Sequence, residues 1–188
     1  MSAAPQIVLS LDTATPHLCL GLLAGERRAV RVSEVGRAHA ERLPAELEAL
    51  FAEADLPLRA DLIVVGTGPG SYTGLRVGAS YALGLGRAWG CRVRGVSTLE
   101  ALAQGEKSER GAVAVSLDAR KEQVYGAVYR LEDGMVAGTL HTPAKFPLTA
   151  FAALTAGLPW FRDGPPDPLR LALNGLHHGQ ATWTLSYL

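Results

Sequence analysis

The sequence predicts an α/β fold built from two related halves. Short apolar runs typical of buried strands alternate with segments whose apolar residues recur at helical spacing. A strand that ends on an aspartate and turns back as a hairpin occurs twice, at Asp12 and at Asp118. This weak internal repeat indicates two halves on one plan. We place residues 1–96 in the first half and residues 97–188 in a smaller second half.

The composition indicates a packed globular protein, with 48% hydrophobic and 19% charged residues and no formal net charge. Neutrality argues against a broad basic surface for nucleic acid. Cys19 and Cys91 lie in apolar stretches and are predicted to be buried free thiols, which fits a reducing compartment. With neither a leader pattern nor a long apolar run, we expect a soluble, cytoplasmic protein without a membrane partner.

The first half should begin with strands at residues 6–12, 17–24 and 27–35. An amphipathic helix is predicted next, over residues 40–55, because its apolar residues recur at helical spacing. Pro44 fits only a first turn, so this helix is expected to begin near Glu41. The apolar stripe of the helix consists of Leu43, Leu47, Leu50, Phe51 and Ala54.

A Gly-rich stretch over residues 66–78 follows an apolar strand and precedes a second helix, predicted over residues 75–89. This geometry aims backbone N–H groups at an anion. The stretch nevertheless lacks the lysine of a P-loop, and Ser71 and Thr73 stand where a dinucleotide fingerprint needs glycine. Two interpretations stay open: an anion cradle, or a tight turn whose glycines supply positive φ and close packing.

A carboxylate and two hydroxyls cluster at the end of the first strand, where Thr13 and Thr15 follow Asp12. In actin-like ATPases and sugar kinases such a turn holds phosphate and a hydrated metal. The alternative is an aspartate that caps its own turn. The candidate residues of a vestigial nucleotide site are Asp12, Thr13, Thr15, Gly68, Gly70, Ser71 and Asp118.

Small residues recur every four positions along the second helix, as Gly74, Gly78, Ala82 and Gly86. Glycine inside a helix costs about 1 kcal/mol relative to alanine, so this ridge predicts the close approach of another backbone. That backbone belongs either to the chain's own sheet or first helix, or to another subunit. His39, at the entrance of the first helix, is interpreted as a cap or a surface group.

The remaining elements are predicted less fully. A strand over 91–96 leads into a third helix capped by Ser97 or Thr98, and a polar loop follows over 105–111. We then expect strands over 112–117, 123–131 and 135–141 and a short helix over 148–156. No structure is assigned to residues 169–188, and the adjacent pair His177 and His178 is not expected to bind metal.

Five blocks of the sequence closely resemble the TsaB (YeaZ) family. They are residues 8–15, 39–44, 68–78, 95–102 and 117–125. Each block alone is weak, but five in the right order are highly specific. The resemblance covers about residues 6 to 131.

The resemblance implies an actin/Hsp70/sugar-kinase-like fold of two ribonuclease-H-like halves, each with a mixed sheet and the second degenerate. It implies a role in making threonylcarbamoyladenosine at position 37 of tRNAs that read ANN codons. In that role TsaB is a non-catalytic scaffold and activator of its catalytic paralogue TsaD. The ATPase TsaE joins the complex, and tRNA is met only within it.

The resemblance also implies that the two helices of the first half pack against TsaD, or against a second copy when the protein is alone. We therefore predict a partner surface on these helices. Its residues are His39, Leu43, Leu47, Leu50, Phe51, Leu75, Gly78, Ala82 and Gly86.

No catalytic or metal-binding residue is predicted. TsaD-like relatives carry a His-x-x-x-His metal pair where this chain has Thr98 and Leu102, and leucine offers no ligand atom. No cofactor is expected, because the short second half leaves little chain to bind the adenosine of ATP or ADP. The alternative function is an ATP-dependent phosphotransferase that uses Asp12 or Asp118 with magnesium.

Overall fold

The computed structural model describes residues 6–103 and 111–188, which form two mixed sheets with helices around and between them. The elements of the first half are β1 (Ile7–Asp12), β2 (His17–Ala24), β3 (Arg27–Glu34), α1 (His39–Glu53), β4 (Leu62–Gly66), α2 (Tyr72–Trp89) and β5 (Arg92–Val96). The elements that follow are α3 (Thr98–Leu102), β6 (Gly111–Asp118), β7 (Gln123–Glu132), β8 (Met135–Pro147), α4 (Leu148–Leu154), β9 (Trp160–Arg162) and α5 (Pro168–His177). The predicted α/β fold class is confirmed.

The two sheets share one plan. The first has the order β3-β2-β1-β4-β5, with an antiparallel meander of β1, β2 and β3 and with β4 parallel to β1. The second has the order β8-β7-β6-β9, again a meander followed by a strand parallel to its first strand. Asp12 and Asp118 end the first strand of each sheet, so the repeat seen in the sequence is a repeat in the fold.

Alternating side chains of β1 and β4 bury both faces of the first sheet. Leu9, Leu11 and Ile63 meet α1 on one face. Val8 and Val64 meet α3 and α5 on the other, in a cluster that includes Leu171. Both faces of these strands are covered, which is why they read as continuous apolar runs.

The helix α3 also packs on the second sheet, where Leu99 and Leu102 join Val115 and Tyr129. On the opposite face of that sheet, α4 places Phe151 in a separate cluster. The chain is thus layered, with α1 and α2 outside the first sheet, α3 and α5 on its inner side, and α4 outside the second sheet.

The predicted division at residue 96 separates the strands of the two sheets but does not describe α5. This helix returns to the first sheet, where Ser10 Oγ donates a 2.6 Å hydrogen bond to the carbonyl of Pro168. A Cβ at Gly175 would overlap Val64, so the helix and β4 are in close contact. Residues from the far end of the sequence therefore complete the first half.

Several predicted boundaries were wrong. Helix α1 begins at His39 and holds Pro44 inside it, and α2 begins at Tyr72. Strand β9 and helix α5 were not predicted. Residues 105–110 of the predicted loop lie outside the described residues, and Gly111 belongs to β6. Cys19 is buried as predicted, whereas Cys91 is half-buried.

Within residues 6–103 and 111–188, none of the helices has the length and apolar character needed to cross a membrane.

Candidate functional site

The carboxylate of Asp12 lies buried at the carboxyl end of β1. Its Oδ1 accepts a hydrogen bond from the backbone N–H of Ala14 (2.8 Å), and its Oδ2 accepts one from Thr98 Oγ1 (2.7 Å). Gly66 makes room for it, because a Cβ at that position would overlap the carboxylate. Asp12 is therefore both a turn cap and the centre of a buried polar contact.

Thr98 joins this contact to the Gly-rich loop. Its Oγ1 accepts a hydrogen bond from the N–H of Gly68 (3.0 Å), and its own N–H donates to the carbonyl of Gly68 (2.9 Å). One hydroxyl thus connects β1, the Gly-rich loop and the start of α3. Thr98 has no exposed surface, so the network is shielded from water.

Burial raises the pKa of Asp12 to about 6, although the hydrogen bonds from Thr98 and Ala14 act in the opposite direction. The dominant cause is desolvation, which disfavours the charged form of a carboxyl group. Perturbed carboxyl groups are often functional, but a buried structural network perturbs the pKa in the same way.

The Gly-rich loop packs directly on the turn between β1 and β2. The N–H of Ser71 donates to the carbonyl of Ala14 (2.7 Å), and Thr13 Oγ1 donates to the carbonyl of Gly74 (2.7 Å). A Cβ at Gly70 would overlap Ala14. The N–H groups of Gly68, Ser71 and Gly74 thus bond within the chain, which favours the interpretation as a tight turn.

The other members of the candidate nucleotide site have local partners. Ser71 caps α2 by accepting the N–H of Gly74 (3.2 Å), and Thr15 Oγ1 accepts the N–H of His17 (3.2 Å). Gly68 has a φ of +95°, a backbone conformation that residues other than glycine rarely adopt. These local hydrogen bonds and the glycine backbone fix the conformation of the loop.

Asp118 lies apart from this network, at the end of β6 in the second sheet. Its Oδ1 accepts the N–H of Arg120 (2.9 Å), and its own N–H donates to Asp163 Oδ1 (2.6 Å). The bond from Arg120 to Asp118 repeats the bond from Ala14 to Asp12, but Asp118 is exposed whereas Asp12 is buried. The structure thus brings together the candidate residues of the first half and leaves Asp118 in the second.

The side chains of α1 named for the predicted partner surface lie inside the chain's own core. Leu43, Leu47, Leu50 and Phe51 are buried in the chain's own core, against Leu9, Leu11 and Leu20 of the first sheet. They offer no surface to a partner in this conformation. His39 is also buried, with Nε2 3.2 Å from the carbonyl oxygen of His17.

The small-residue ridge of α2, also named for that surface, faces the first sheet in this structure. A Cβ at Gly78 would overlap Thr13 Oγ1, and one at Gly86 would meet Val93 of β5. Leu75 and Ala82 are fully buried. The backbone that the ridge approaches is the chain's own first sheet, which was one of the two alternatives.

One exposed part of the two helices is a groove between the start of α1 and the first turns of α2. Tyr72 is 56% exposed on its wall, and the Arg76 guanidinium lies 4.6 Å from the centre of its ring. The groove is lined by Ala40, Tyr72, Thr73, Arg76, Val77, Ser80 and Tyr81.

The apolar positions of α2 do not reveal this surface, because they mark only the buried face of the helix. The available signal was the polar and aromatic series Tyr72, Arg76 and Ser80, which repeats every four residues beside the buried ridge.

Thr98 and Leu102, the two positions at which the family resemblance suggested a lost metal pair, are both buried. In the part of the chain that the structure describes, three or more histidine, cysteine, aspartate or glutamate side chains nowhere come together as a possible metal site.

Comparison with known proteins identifies the family. The family model described as "TsaD: tRNA N6-adenosine threonylcarbamoyltransferase" matches residues 30–146. The tRNA threonylcarbamoyladenosine biosynthesis protein TsaB of Bacillus subtilis is 31% identical over 131 residues, covering 69% of this chain and 57% of that protein. An uncharacterized protein of Mycobacterium tuberculosis is 42% identical over 126 residues, covering 65% of this chain and 58% of that protein.

Among solved structures, YeaZ from Pseudomonas aeruginosa superposes with a TM-score of 0.80 at 28% identity, covering 97% of this chain and 100% of that chain. The alignments with the curated relatives named above span little more than half of those proteins' length. Since the family model covers more than half of this sequence and both the TsaB relative and the YeaZ structure agree with it, the chain belongs to the TsaB (YeaZ) family.

Proposed function

We propose that the protein is a non-catalytic scaffold that binds and activates a TsaD-type transferase in the formation of threonylcarbamoyladenosine in tRNA. The names of the TsaB relatives and the description of the matching family model support this pathway. A chain matched by the transferase's own family model is a homologue of that enzyme. Two copies of one fold commonly pair through equivalent surfaces, and we propose that the two homologues pair in the same way.

One observation carries the non-catalytic part of the proposal. Thr98, which the family resemblance places at a metal-binding histidine of the TsaD-like relatives, donates its hydroxyl to Asp12 and accepts the N–H of Gly68. Asp12, Thr98 and Gly68 are thus bound to one another within the chain. The polar network then serves to fix the Gly-rich loop on β1.

The groove between α1 and α2 is the proposed partner surface, in place of the buried stripes. Tyr72 and Arg76 combine an exposed aromatic ring with a cation, and both residue types are enriched at protein interfaces. Val77 and Tyr81 give the floor of the groove apolar area. In the absence of the transferase, a second copy of the chain would cover the same surface, which predicts a homodimer.

Sedimentation of the protein alone and with the TsaD-type transferase of the same organism tests this proposal. We expect a homodimer that gives way to a heterocomplex. Arg76→Glu should weaken the heterocomplex about tenfold or more, because the variant reverses a charge at the wall of the groove. Arg87→Glu, on an exposed position near the end of the same helix, is the matched control and should bind normally. A monomer that ignores the transferase would contradict the proposal.

No cofactor forms part of the proposal, and the TsaE ATPase is expected to act on the complex. The phosphotransferase alternative predicts that the isolated protein binds Mg-ATP. Calorimetry decides between them: binding at micromolar concentration would support the phosphotransferase. The contacts of Asp12 and of the Gly-rich loop within the chain argue against that result.

A further inference from the structure

Residues 180–188, here named the strap, lie along β5 and across the Gly-rich loop. The N–H of Gly95 donates to the carbonyl of Gln180 (2.9 Å), and the N–H of Gln180 donates back to Gly95 (3.1 Å). Further on, the N–H of Ser186 donates to the carbonyl of Thr67 (2.8 Å). The strap is thus fixed to the first sheet at two separate points.

Trp183 is the packed centre of the strap. A Cβ at Gly95 would overlap the Trp183 side chain, so only glycine leaves room for the indole at this position. The indole packs against the hydrophobic core of the first sheet. Because β5 is the edge of that sheet, its outer side would present unpaired backbone groups to solvent without the strap. The need to cover this edge of the sheet explains why Gln180 and Trp183 pack on β5.

Edge protection does not explain Tyr187. Its ring lies 5.0 Å from the ring of Tyr72, centre to centre, and Tyr72 in turn lies under Arg76. Both tyrosines are more than half exposed, at 52% for Tyr187 and 56% for Tyr72. Arg76, Tyr72 and Tyr187 therefore form one exposed row that continues from the wall of the groove onto the strap.

We propose that the strap supplies Tyr187 to the surface that binds the TsaD-type partner. This inference rests on the proposed function. Tyr187 does not line the groove, so the docked strap leaves the groove open and extends it. The partner would place apolar surface on the two tyrosine rings and a carboxylate opposite Arg76, because tyrosine bodies are apolar and guanidinium pairs with carboxylate.

The bond between Ser186 and Thr67 positions the new contact. It fixes the residue immediately before Tyr187 to the start of the Gly-rich loop, and the same loop leads into α2 at Tyr72. The Gly-rich loop therefore fixes the positions of both tyrosines, Tyr187 through the bond to Ser186 and Tyr72 at the start of α2. Aromatic rings held in place before binding lose less entropy when a partner covers them.

Calorimetric titration of the full chain with the TsaD-type transferase tests the inference. Tyr187→Ser should weaken binding about tenfold. Ser186→Pro removes the N–H that binds Thr67 and should weaken binding as well. Leu140→Ser, which removes a similarly exposed apolar side chain from β8 in the second sheet, is the control and should bind like the wild type.

Hydrogen exchange gives an independent measure of strap docking. In Tyr187→Ser the amide of Gln180 should stay protected, since its partner Gly95 is untouched. Equal affinity of the wild type and Tyr187→Ser would overturn the inference and leave the proposed function standing. A wild-type chain that does not bind the transferase at all would overturn both.

Discussion

Thr98 Oγ1 lies 2.7 Å from Oδ2 of Asp12, and this hydrogen bond joins the start of α3 to the end of β1. The same oxygen accepts the N–H of Gly68. One buried hydroxyl thus connects the end of β1 to the Gly-rich loop and stabilises that loop. The stability of the fold should depend on that hydroxyl.

Thr98→Val keeps the shape of the side chain but removes its hydroxyl. The change leaves the N–H of Gly68 and one oxygen of Asp12 unpaired in a buried site. We expect the free energy of unfolding to fall by about 2 kcal/mol, the usual cost of such groups. Urea denaturation measures it, with Thr139→Val on an exposed position of β8 as the control. Equal losses for the two variants would contradict the network.

Asp12 should make stability fall as the pH rises through about 6. Its pKa in the folded state is raised to about 6 from an ordinary value of 3.8, so folding favours the protonated form. The contribution of Asp12 to the free energy of unfolding is fully present below its ordinary pKa, and it is lost as the pH rises through the pKa of the folded state.

The matched comparison for that prediction is Asp12→Asn, which cannot titrate. The difference in unfolding free energy between the wild type and this variant should shift by about 2 kcal/mol in favour of the variant between pH 4 and pH 7. Denaturation at each pH measures it. A difference that does not change with pH would show that Asp12 is not desolvated.

Glu46 should act in the opposite direction. Hydrogen bonds from Arg42 (2.8 Å) and Arg31 (2.7 Å) lower its pKa in the folded state. Its stabilising contribution is therefore present above the ordinary glutamate pKa and is lost as the pH falls through the lowered value. Glu46→Gln should cost about 2 kcal/mol at pH 7 and less in acid.

Denaturation of Glu46→Gln at pH 7 and pH 3 checks this expectation. Glu48→Gln, on the exposed side of the same helix, is the control and should change stability by about 0.5 kcal/mol or less. A cost for Glu46→Gln that is the same at both pH values would contradict the role of the two arginines.

The buried stripe of α1 should affect folding before it affects association. Leu47→Ala opens a cavity in the core of the first sheet and should cost about 3 kcal/mol of unfolding free energy. Leu83→Ala, which removes a leucine that is 53% exposed on α2, should cost about 0.5 kcal/mol or less. Thermal denaturation compares the two. Equal small losses would place Leu47 on the surface, as first predicted.

Much of the fold could be predicted from the sequence. The repeated strand that ends on Asp12 and on Asp118 anticipated the common plan of the two sheets. Short strands and helices with clear spacing were also found. Helix α5 was missed because a window over residues 169–188 mixes a ten-residue helix with the irregular strap. Asp167, which caps that helix, and Pro168 at its start were the signals available.

The candidate site was harder to predict for a physical reason. An apolar stripe such as Leu43 to Phe51 shows that one face of a helix is buried, but not whether its own sheet or a partner buries it. The Asp12 turn raised the same difficulty, because the sequence pattern of a carboxylate at a strand end is the same whether the carboxylate binds a ligand or Thr98. Long-range contacts decide both questions, and a sequence pattern does not contain them.

We propose that this protein supports a TsaD-type transferase without performing the reaction itself. The direct measurement is threonylcarbamoyladenosine formed in tRNA by the transferase, the TsaE ATPase and threonylcarbamoyl-AMP, with and without this protein. We predict that modification requires the protein, falls with Arg76→Glu but not with Arg87→Glu, and does not occur when the transferase is left out. Full modification without this protein, or modification by this protein without the transferase, would contradict the claim.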